Sequence, residues 1–280
     1  MGTLYVVATP IGHLEDITLR ALRLLREVSL IAAEDTRTAR KLLARYDIAT
    51  PVISYFEHSK LARLERVLAA LEEGDVALIS EAGMPGVSDP GYELIRAALA
   101  AGVEVVPVPG PSAVLAALVV SGLPTERFLY LGFLPRRRAE RRKLLQGVAG
   151  EPGTLLLFEA PHRVQAALAD LLDILGDRPL AVCRELTKLH EEVWRGTLAT
   201  AVAYFATHPP RGEFTLVIGG AGKGGEAGRW KVTQVQEAVA LLVAEGVAQP
   251  MAIRVVARLS GWRKRDVYAL MLEAEDVGES

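Results

Sequence analysis

The hydrophobic pattern of residues 1–109 alternates between two periods. Short, continuous apolar runs, which are typical of buried strands, are separated by longer segments in which apolar positions recur every three or four residues, as in helices. The pattern predicts strands at 4–9, 28–33, 76–79 and 103–108, a weaker strand at 52–54, and helices at 18–27, 36–46, 59–73 and 91–101. Strands that alternate with helices form largely parallel sheets covered on both faces, so we expect an α/β domain.

The alternation starts again after a Pro-Gly-Pro loop at 109–111. The pattern here predicts strands at 128–132, 154–158, 179–184 and 213–219, and helices at 112–121, 138–148, 161–175 and 197–207. The sequence therefore predicts two α/β domains, 1–109 and 110–220.

The last part of the chain has a different pattern. The glycine-rich segment 219–225 has the composition of a flexible linker, and 229–280 is helical by pattern throughout. We expect 221–280 to form this linker and a C-terminal helical module. A turn at Gly261 within 254–272 fits a helix-turn-helix or a plain helical appendage equally well.

Composition narrows the class of protein. The chain has 280 residues, 50% of them hydrophobic, which is enough for sizeable cores. We expect no membrane partner and no signal peptide, because no apolar run approaches a membrane span and the chain begins directly with a strand. One cysteine, Cys183, excludes an internal disulfide framework and indicates the cytoplasm. The five histidines do not have metal-ligand spacing, so we expect no metal site.

Three loops that follow predicted strands are candidates for a ligand site. The first, at 8–12, lacks the G-x-G-x-x-G of dinucleotide-binding turns, which excludes that kind of site. The second, at 80–91, contains three glycines and two prolines, and the third, at 108–113, opens a helix whose free N–H groups favour a carboxylate or a polar adenine edge. Because parallel strands end at one edge of their sheet, we expect the three loops to converge.

Charged residues also stand at the ends of predicted strands. Glu34 and Asp35 either complement the N-terminus of the next helix or face the ligand as a general base or substrate ligand. The segments 159–163 and 184–188 place charges at strand ends in the same way. For both segments a salt bridge and a position on the ligand rim remain open.

Basic residues are clustered, although the net charge is only −2. A solvated helix normally mixes charges of both signs, so clusters of one sign indicate a phosphate-bearing partner, RNA or DNA. The clusters consist of Arg37, Arg40, Lys41 and Arg45; of Arg136, Arg137, Arg138, Arg141, Arg142 and Lys143; and of Arg254, Arg258, Arg263, Lys264 and Arg265.

In their order and spacing these segments resemble the tetrapyrrole methylase superfamily, and within it the branch that methylates the RNA of the small ribosomal subunit. The resemblance spans essentially the whole chain. It is carried by Ala8-Thr9-Pro10-Ile11-Gly12, Glu34-Asp35-Thr36-Arg37, the segment 80–91, Pro109-Gly110-Pro111-Ser112-Ala113, Gly132-Phe133-Leu134-Pro135, Ala160-Pro161-His162-Arg163, Arg184-Glu185-Leu186-Thr187-Lys188 and Gly212-Glu213-Phe214.

The resemblance implies S-adenosylmethionine as cofactor, bound in a cleft between two α/β domains, and a homodimer. The substrate it implies is the ribose 2′-hydroxyl of a cytidine in the decoding region of 16S rRNA, within the small ribosomal subunit. The alternative is a tetrapyrrole intermediate, but porphyrin-modifying relatives carry an aspartate where this chain has Met84, which argues against it. The residues implied at the cofactor pocket are Pro10, Ala82, Gly83, Met84, Val87, Ser112, Ala113, Leu131 and Glu185.

A ribose hydroxyl must lose its proton as the new bond forms, so we expect a positioned base. The candidates are Glu34, Asp35, Glu81 and Glu185, and the sequence does not decide among them. Lys188, Arg163 or Arg37 would hold the flanking phosphates. We expect the clusters at 136–143 and 254–265 to dock on the small subunit.

Overall fold

The first sheet is entirely parallel. The computed structural model describes residues 1–55, 60–221, 230, 232–260 and 262–278. The first part of the chain forms β1 (Thr3–Val7), α1 (Leu19–Glu27), β2 (Leu30–Ala33), α2 (Thr36–Arg45), β3 (Val52–Ser54), α3 (Lys60–Glu73), β4 (Val76–Ile79), α4 (Tyr92–Ala100) and β5 (Glu104–Val108). The strand order is β3-β2-β4-β1-β5, and all neighbours run parallel.

Both faces of this sheet are buried. Along β4, Ala77 and Ile79 belong to one hydrophobic core, and Val76 and Leu78 belong to another. Successive side chains of a strand point to opposite faces, so a strand that is apolar at every position needs cover on both sides. The α/β fold predicted from the sequence is confirmed, and all five strands end at one edge.

The second sheet is mixed. The chain continues with α5 (Ala113–Ser121), β6 (Phe128–Phe133), α6 (Arg138–Gly147), β7 (Thr154–Glu159), α7 (Val164–Leu175), β8 (Pro179–Arg184), β9 (Glu192–Thr197), α8 (Leu198–Thr207) and β10 (Phe214–Ile218). The strand order is β6-β7-β10-β8-β9. β6 and β7 are parallel, whereas the other neighbouring pairs are antiparallel.

The sequence analysis missed β9. This strand pairs with β8 over six positions, from Pro179 opposite Thr197 to Arg184 opposite Glu192. It lies at the sheet edge and none of its residues is fully buried, so it lacks the apolar run by which the other strands are recognised.

A separate unit holds the last helices. Contacts divide the chain into Met1–Gly220 and Ala221–Ser280. The second unit contains α9 (Val232–Ala244), α10 (Gln249–Ser260) and α11 (Lys264–Gly278) around a small apolar core, which confirms the helical module. Most of the predicted linker, 222–229, and the predicted turn at Gly261 lie outside the described residues. The division of the first unit at 109/110 stays a prediction.

Trp230, which precedes α9, is hydrogen-bonded to residues at the end of α10 and before α11. The indole Nε1 of Trp262 donates to the carbonyl of Trp230 at 2.7 Å, and the N–H of Trp230 donates to the carbonyl of Ser260 at 3.1 Å. Across the described part of the chain, no helix is both long enough and apolar enough to cross a membrane.

Candidate active site

The three strand-end loops meet at the carboxyl edge of the first sheet. Thr9 and Gly83 exchange two backbone hydrogen bonds, of 2.9 and 3.0 Å, which join the loop after β1 to the loop after β4. Gly110, in the loop after β5, packs so closely that a Cβ added there would lie 3.0 Å from the Cβ of Ala8. The structure thus brings together the three segments that the sequence predicts to converge.

The second sheet contacts this edge of the first sheet at two points. The hydroxyl groups of Ser88 and Tyr130 are hydrogen-bonded at 2.7 Å, which connects the loop after β4 to β6. On the other side, the N–H of His13 donates to Oγ1 of Thr187 at 3.0 Å. The loops after β1 and β4 therefore contact the second sheet directly, which forms a cleft inside the first unit.

The residues predicted for the cofactor lie along this cleft. Pro10 and Gly83 are buried at the bridge between the first two loops, and Gly83 has a φ of +76°, a backbone conformation that favours glycine. Ser112 caps α5, its Oγ accepting from the N–H of Leu115 at 3.5 Å. The other positions are half-buried or exposed, and they are Ala82, Met84, Val87, Ala113, Leu131 and Glu185.

This set of residues fits an adenosyl cofactor. Val87 is 46% exposed and Leu131 is half-buried, so both offer apolar surface to a ligand. The first N–H groups of α5 lie next to Ser112, and helix N-termini bind carboxylates and other acceptors. Apolar walls with a few placed polar groups are typical of small-molecule sites.

Two of the four base candidates stand at the end of β2. Asp35 is the N-cap of α2 and accepts from the backbone N–H of Arg37 at 2.6 Å. Hydrogen bonds from the side chain and backbone of Arg37 hold the pKa of Asp35 below its usual value. Glu34 instead accepts from the N–H of Glu81 at 3.3 Å. Burial raises the pKa of Glu34, and the neighbouring carboxylates of Glu81 and Asp35 add to this, against the hydrogen bond from Glu81.

Glu185 is held in an ion-paired cluster. Its Oε1 accepts from Nζ of Lys188 at 3.1 Å and from the N–H of Glu213 at 2.8 Å. Burial favours a higher pKa for Glu185, but these hydrogen bonds outweigh it and lower the pKa. Lys188 also pairs with Glu213 at 3.1 Å, so its pKa is raised against the effect of burial. The salt bridge left open by the sequence is present here.

Asp89 is a fifth carboxylate in this region, and the sequence analysis did not select it. It lines a cavity of about 330 Å³ together with Tyr55, Ser88 and Tyr92. Burial raises the pKa of Asp89 to about 6, and the charges of nearby carboxylates add to the shift. Its position within the glycine- and proline-rich loop at 80–91 was the available signal, but Ser-Asp-Pro-Gly is also an ordinary turn sequence.

We expect Asp89→Asn to raise the Tm more at high pH than at low pH. The folded-state pKa of about 6 lies above the unfolded value of about 3.9, so ionisation of Asp89 disfavours the folded state as pH rises through this window. Asparagine carries no charge and escapes this effect. Thermal melts between about pH 4 and about pH 8 measure the difference. A Tm difference that does not change with pH would contradict the raised pKa.

The basic cluster on α6 is partly neutralised from within the fold. Arg138, Arg141 and Arg142 all pair with Asp170 of α7. Arg141 is only 7% exposed, so it cannot contact RNA, which corrects the expectation from the sequence. Arg136 is exposed, and Arg137 is 84% exposed beside Glu140.

Arg163 also has a structural position. Its Nη2 donates to the carbonyls of Leu134 and Pro135 at 2.5 and 3.1 Å, and its side chain is 15% exposed next to the buried carboxylate of Glu159. Arg163 is therefore too buried to hold a phosphate, as Arg141 is, which corrects the expectation from the sequence. The other predicted RNA contacts are exposed, and they are Arg37, Arg40 and Lys41 on α2, and Arg254, Arg258, Arg263, Lys264 and Arg265 in the helical unit.

Comparison with known proteins defines the class. The profile of the family Tetrapyrrole (Corrin/Porphyrin) Methylases matches residues 3–202, and the chain belongs to this family. Two solved members of the same fold are a cobalt precorrin-4 methyltransferase, with a TM-score of 0.60 at 19% identity, and a uroporphyrin-III C-methyltransferase from Thermus thermophilus complexed with S-adenyl homocysteine, with a TM-score of 0.55 at 23% identity. The first comparison covers 78% of this chain and 94% of the other, and the second covers 77% and 97%.

Proteins similar in sequence over the whole chain are named for a particular RNA substrate. The chain is 48% identical over 280 residues to the protein named Ribosomal RNA small subunit methyltransferase I from Synechocystis sp., covering 99% of this chain and all of the relative. It is 47% identical over 270 residues to the protein of that name from Halalkalibacterium halodurans, covering 95% of this chain and 93% of the relative. The resemblance seen in the sequence motifs is confirmed.

Proposed function

We propose that this protein is an S-adenosylmethionine-dependent methyltransferase of ribosomal RNA. The observation that carries the proposal is the full-length similarity, at 41–48% identity, to proteins named for this activity on the small subunit. The finer part of the proposal is the acceptor: the ribose 2′-hydroxyl of a cytidine in the decoding region of 16S rRNA, methylated on the small subunit. The resemblance of the ordered motifs supports this acceptor.

S-adenosylmethionine supplies a methyl group made reactive by its sulfonium sulfur. The first N–H groups of α5 would hold polar groups of the cofactor, Pro10 and Gly83 would line its site at the bridge between the first two loops, and Val87 and Leu131 would contact its apolar surface. Direct displacement needs the accepting oxygen in line with the methyl carbon at about 3–3.5 Å. In this proposal the contacts of the loops after β1 and β4 with the second sheet fix that alignment.

An RNA substrate accounts for surface features that a tetrapyrrole would not require. Arg136 and Arg137 lie exposed directly after β6, the strand that contacts the loop after β4. Arg37 and Arg40 add positive charge on α2, and the helical unit carries a further exposed basic segment at 254–265. Folded RNA is recognised largely through its backbone and shape, which basic surfaces suit. The alternative acceptor, a tetrapyrrole intermediate, is favoured by the fold of the solved neighbours alone.

Parallel labelling assays test this proposal. Radiolabelled S-adenosylmethionine is supplied with small subunits lacking the modification, with free 16S rRNA, and with uroporphyrinogen. We expect label in the subunit RNA, and the comparison with free RNA shows whether assembly is required. Label in the porphyrin alone would replace the proposed acceptor by the alternative. A protein that binds no cofactor would contradict the proposal as a whole.

We expect the double substitution Arg136→Glu with Arg137→Glu to weaken small-subunit binding without changing cofactor affinity. Each lost phosphate contact reduces the slope of log affinity against log salt by about one, and reversed charges add repulsion. Filter binding across a salt series measures the slope, and calorimetric titration with S-adenosylmethionine measures the cofactor affinity.

Arg66→Glu is the control for this double variant. Arg66 is an exposed arginine of α3 outside the basic clusters, so we expect both affinities to stay at the wild-type value. A double variant that loses cofactor and RNA binding together would indicate damage to the fold. Unchanged RNA binding in a variant that still binds the cofactor would contradict a docking role for this surface.

We further propose that the protein is a cytoplasmic homodimer. The single cysteine, Cys183, is buried and unpaired, which suits a reducing compartment. Apolar side chains of α5 remain exposed in the single chain, among them Leu115 at 53% and Val119 at 74%. Contiguous exposed apolar surface is typical of protein interfaces. Sedimentation equilibrium gives the mass in solution, and the mass of a single chain would contradict the dimer.

A further inference from the structure

We propose that Asp89 is the general base that accepts the proton of the methyl-accepting hydroxyl group. This inference deepens the proposed function and rests on it. The cavity that Asp89 lines, the fixed loop that carries it, and the ion pairing of Asp35 and Glu185 point to this role.

Asp89 stands where an acceptor can reach it. It lies on the loop after β4, two residues beyond Val87, which is proposed to contact the cofactor. It lines the cavity of about 330 Å³, which has room for the ribose end of a nucleotide. Asp89 therefore lines a cavity and stands two residues along the chain from a position proposed for the cofactor.

The loop that carries Asp89 is held in place from both sheets. The neighbouring Ser88 has a φ of +62°, in the left-handed region that few non-glycine residues adopt. Its hydroxyl is hydrogen-bonded to Tyr130 of β6 at 2.7 Å. An observed backbone outlier held by a contact across the cleft is consistent with a functional constraint, and here it fixes the direction of the adjacent carboxylate.

The carboxylates of Asp35, Glu185 and Glu34 accept hydrogen bonds from other parts of the protein. Asp35 caps α2 and pairs with Arg37. Glu185 accepts from Lys188 and from the backbone of Glu213. A carboxylate whose charged form is stabilised in this way is a weaker base. The pKa of Glu34 is raised by burial, but a hydrogen bond from the backbone N–H of Glu81 opposes this rise.

The surroundings of Asp89 make its carboxylate more basic. Among the described residues no lysine or arginine contributes to its pKa, which burial raises to about 6 against one opposing hydrogen bond with the side chain of Ser80. A base acts best when its pKa lies near the working pH. The titratable groups that face it from the packed elements are Glu34 after β2, Tyr55 after β3, Glu81 after β4, Glu93 of α4 and Tyr130 of β6.

Methyl transfer with Asp89 as the base needs only the acceptor hydroxyl, the cofactor and this carboxylate. The hydroxyl oxygen forms a bond to the methyl carbon while the carbon–sulfur bond breaks and leaves its electron pair on sulfur. The hydroxyl proton moves to the carboxylate of Asp89, which starts the step ionised. Release of that proton to water after the product leaves restores the base.

Single-turnover methylation of small subunits at a series of pH values tests the proposal. For the wild type we expect the rate to rise as pH passes about 6 and then to level off. For Asp89→Asn we expect a rate about 10²–10⁴-fold lower with that rise absent, and unchanged affinity for S-adenosylmethionine. Asp89→Glu keeps a carboxylate, so we expect it to recover part of the rate and the pH-dependent rise.

Asp177→Asn is the matched control, because Asp177 is exposed at the opposite end of the second sheet and should keep the wild-type rate. The pH dependence of the Tm of Asp89→Asn gives a readout that needs no substrate. A folded Asp89→Asn protein that binds the cofactor and methylates within about threefold of the wild-type rate would overturn the proposal, since a general base contributes far more. A wild type that methylates no RNA would instead contradict the proposed function.

Discussion

Asp170→Ala is expected to lower the free energy of unfolding by about 3–5 kcal/mol. The carboxylate of Asp170 is 2% exposed and pairs with Arg138, Arg141 and Arg142 at 3.2, 2.6 and 3.0 Å. Arg141 is 7% exposed, so the substitution leaves a buried guanidinium without its counter-charge. Urea unfolding followed by circular dichroism measures the change at constant m-value.

Asp173→Ala is the matched control for this substitution. Asp173 stands on the same helix, one turn further on, and pairs with Arg142 at 2.6 Å, but its side chain is 62% exposed. Exposed pairs contribute about 0–1 kcal/mol because water screens them and the side chains lose entropy. Equal losses of stability in the two variants would contradict the distinction drawn from burial.

Gly12→Ala is expected to reduce methyl transfer by about 10²-fold, the effect of misplacing reacting groups by about 1 Å. A Cβ on Gly12 would lie 2.5 Å from Cγ of Lys188, 2.7 Å from Oγ1 of Thr187 and 3.0 Å from the carbonyl oxygen of Leu186. Either the loop after β1 or the segment 186–188 must then shift, and we expect this to break the hydrogen bond from His13 to Thr187. Single-turnover rates and cofactor titration measure the effect.

Gly147→Ala is the corresponding control. Gly147 is the last residue of α6, and a Cβ there meets no atom within 4 Å. Alanine favours a helix over glycine by about 0.5–1 kcal/mol, so we expect unchanged activity and equal or higher stability. A wild-type rate in Gly12→Ala would show that the close approach of the two sheets at this point is not needed for the reaction.

Local patterns predicted much of this architecture because most strands are buried on both faces and most helices carry one apolar stripe. The edge strand β9 could not be recognised in this way, because Glu192 and Arg195 are exposed, its other residues are only half-buried, and no apolar run marks it. The convergence of the three loops followed from the parallel order of strands, which places their ends together whatever the loops contain.

Charge and chemistry were harder to predict from the sequence. The cluster at 136–143 was read along the chain as nearly free of acids, whereas Asp170 and Asp173 reach it from α7, about thirty residues away. The basicity of Asp89 depends on its burial in a cavity, on Glu34 from another loop and on Glu81 from its own, and no local pattern predicts this arrangement. Pairing and burial are properties of the folded chain.

The central claim is tested most directly by locating the transferred methyl group. After reaction with radiolabelled S-adenosylmethionine, 16S rRNA from the small subunits is hydrolysed in alkali, which cleaves next to free 2′-hydroxyl groups but not next to methylated ones. We expect label in an alkali-resistant dinucleotide that begins with cytidine. Label released in mononucleotides, as from a methylated base, or no label in RNA from subunits that lack the modification would contradict it.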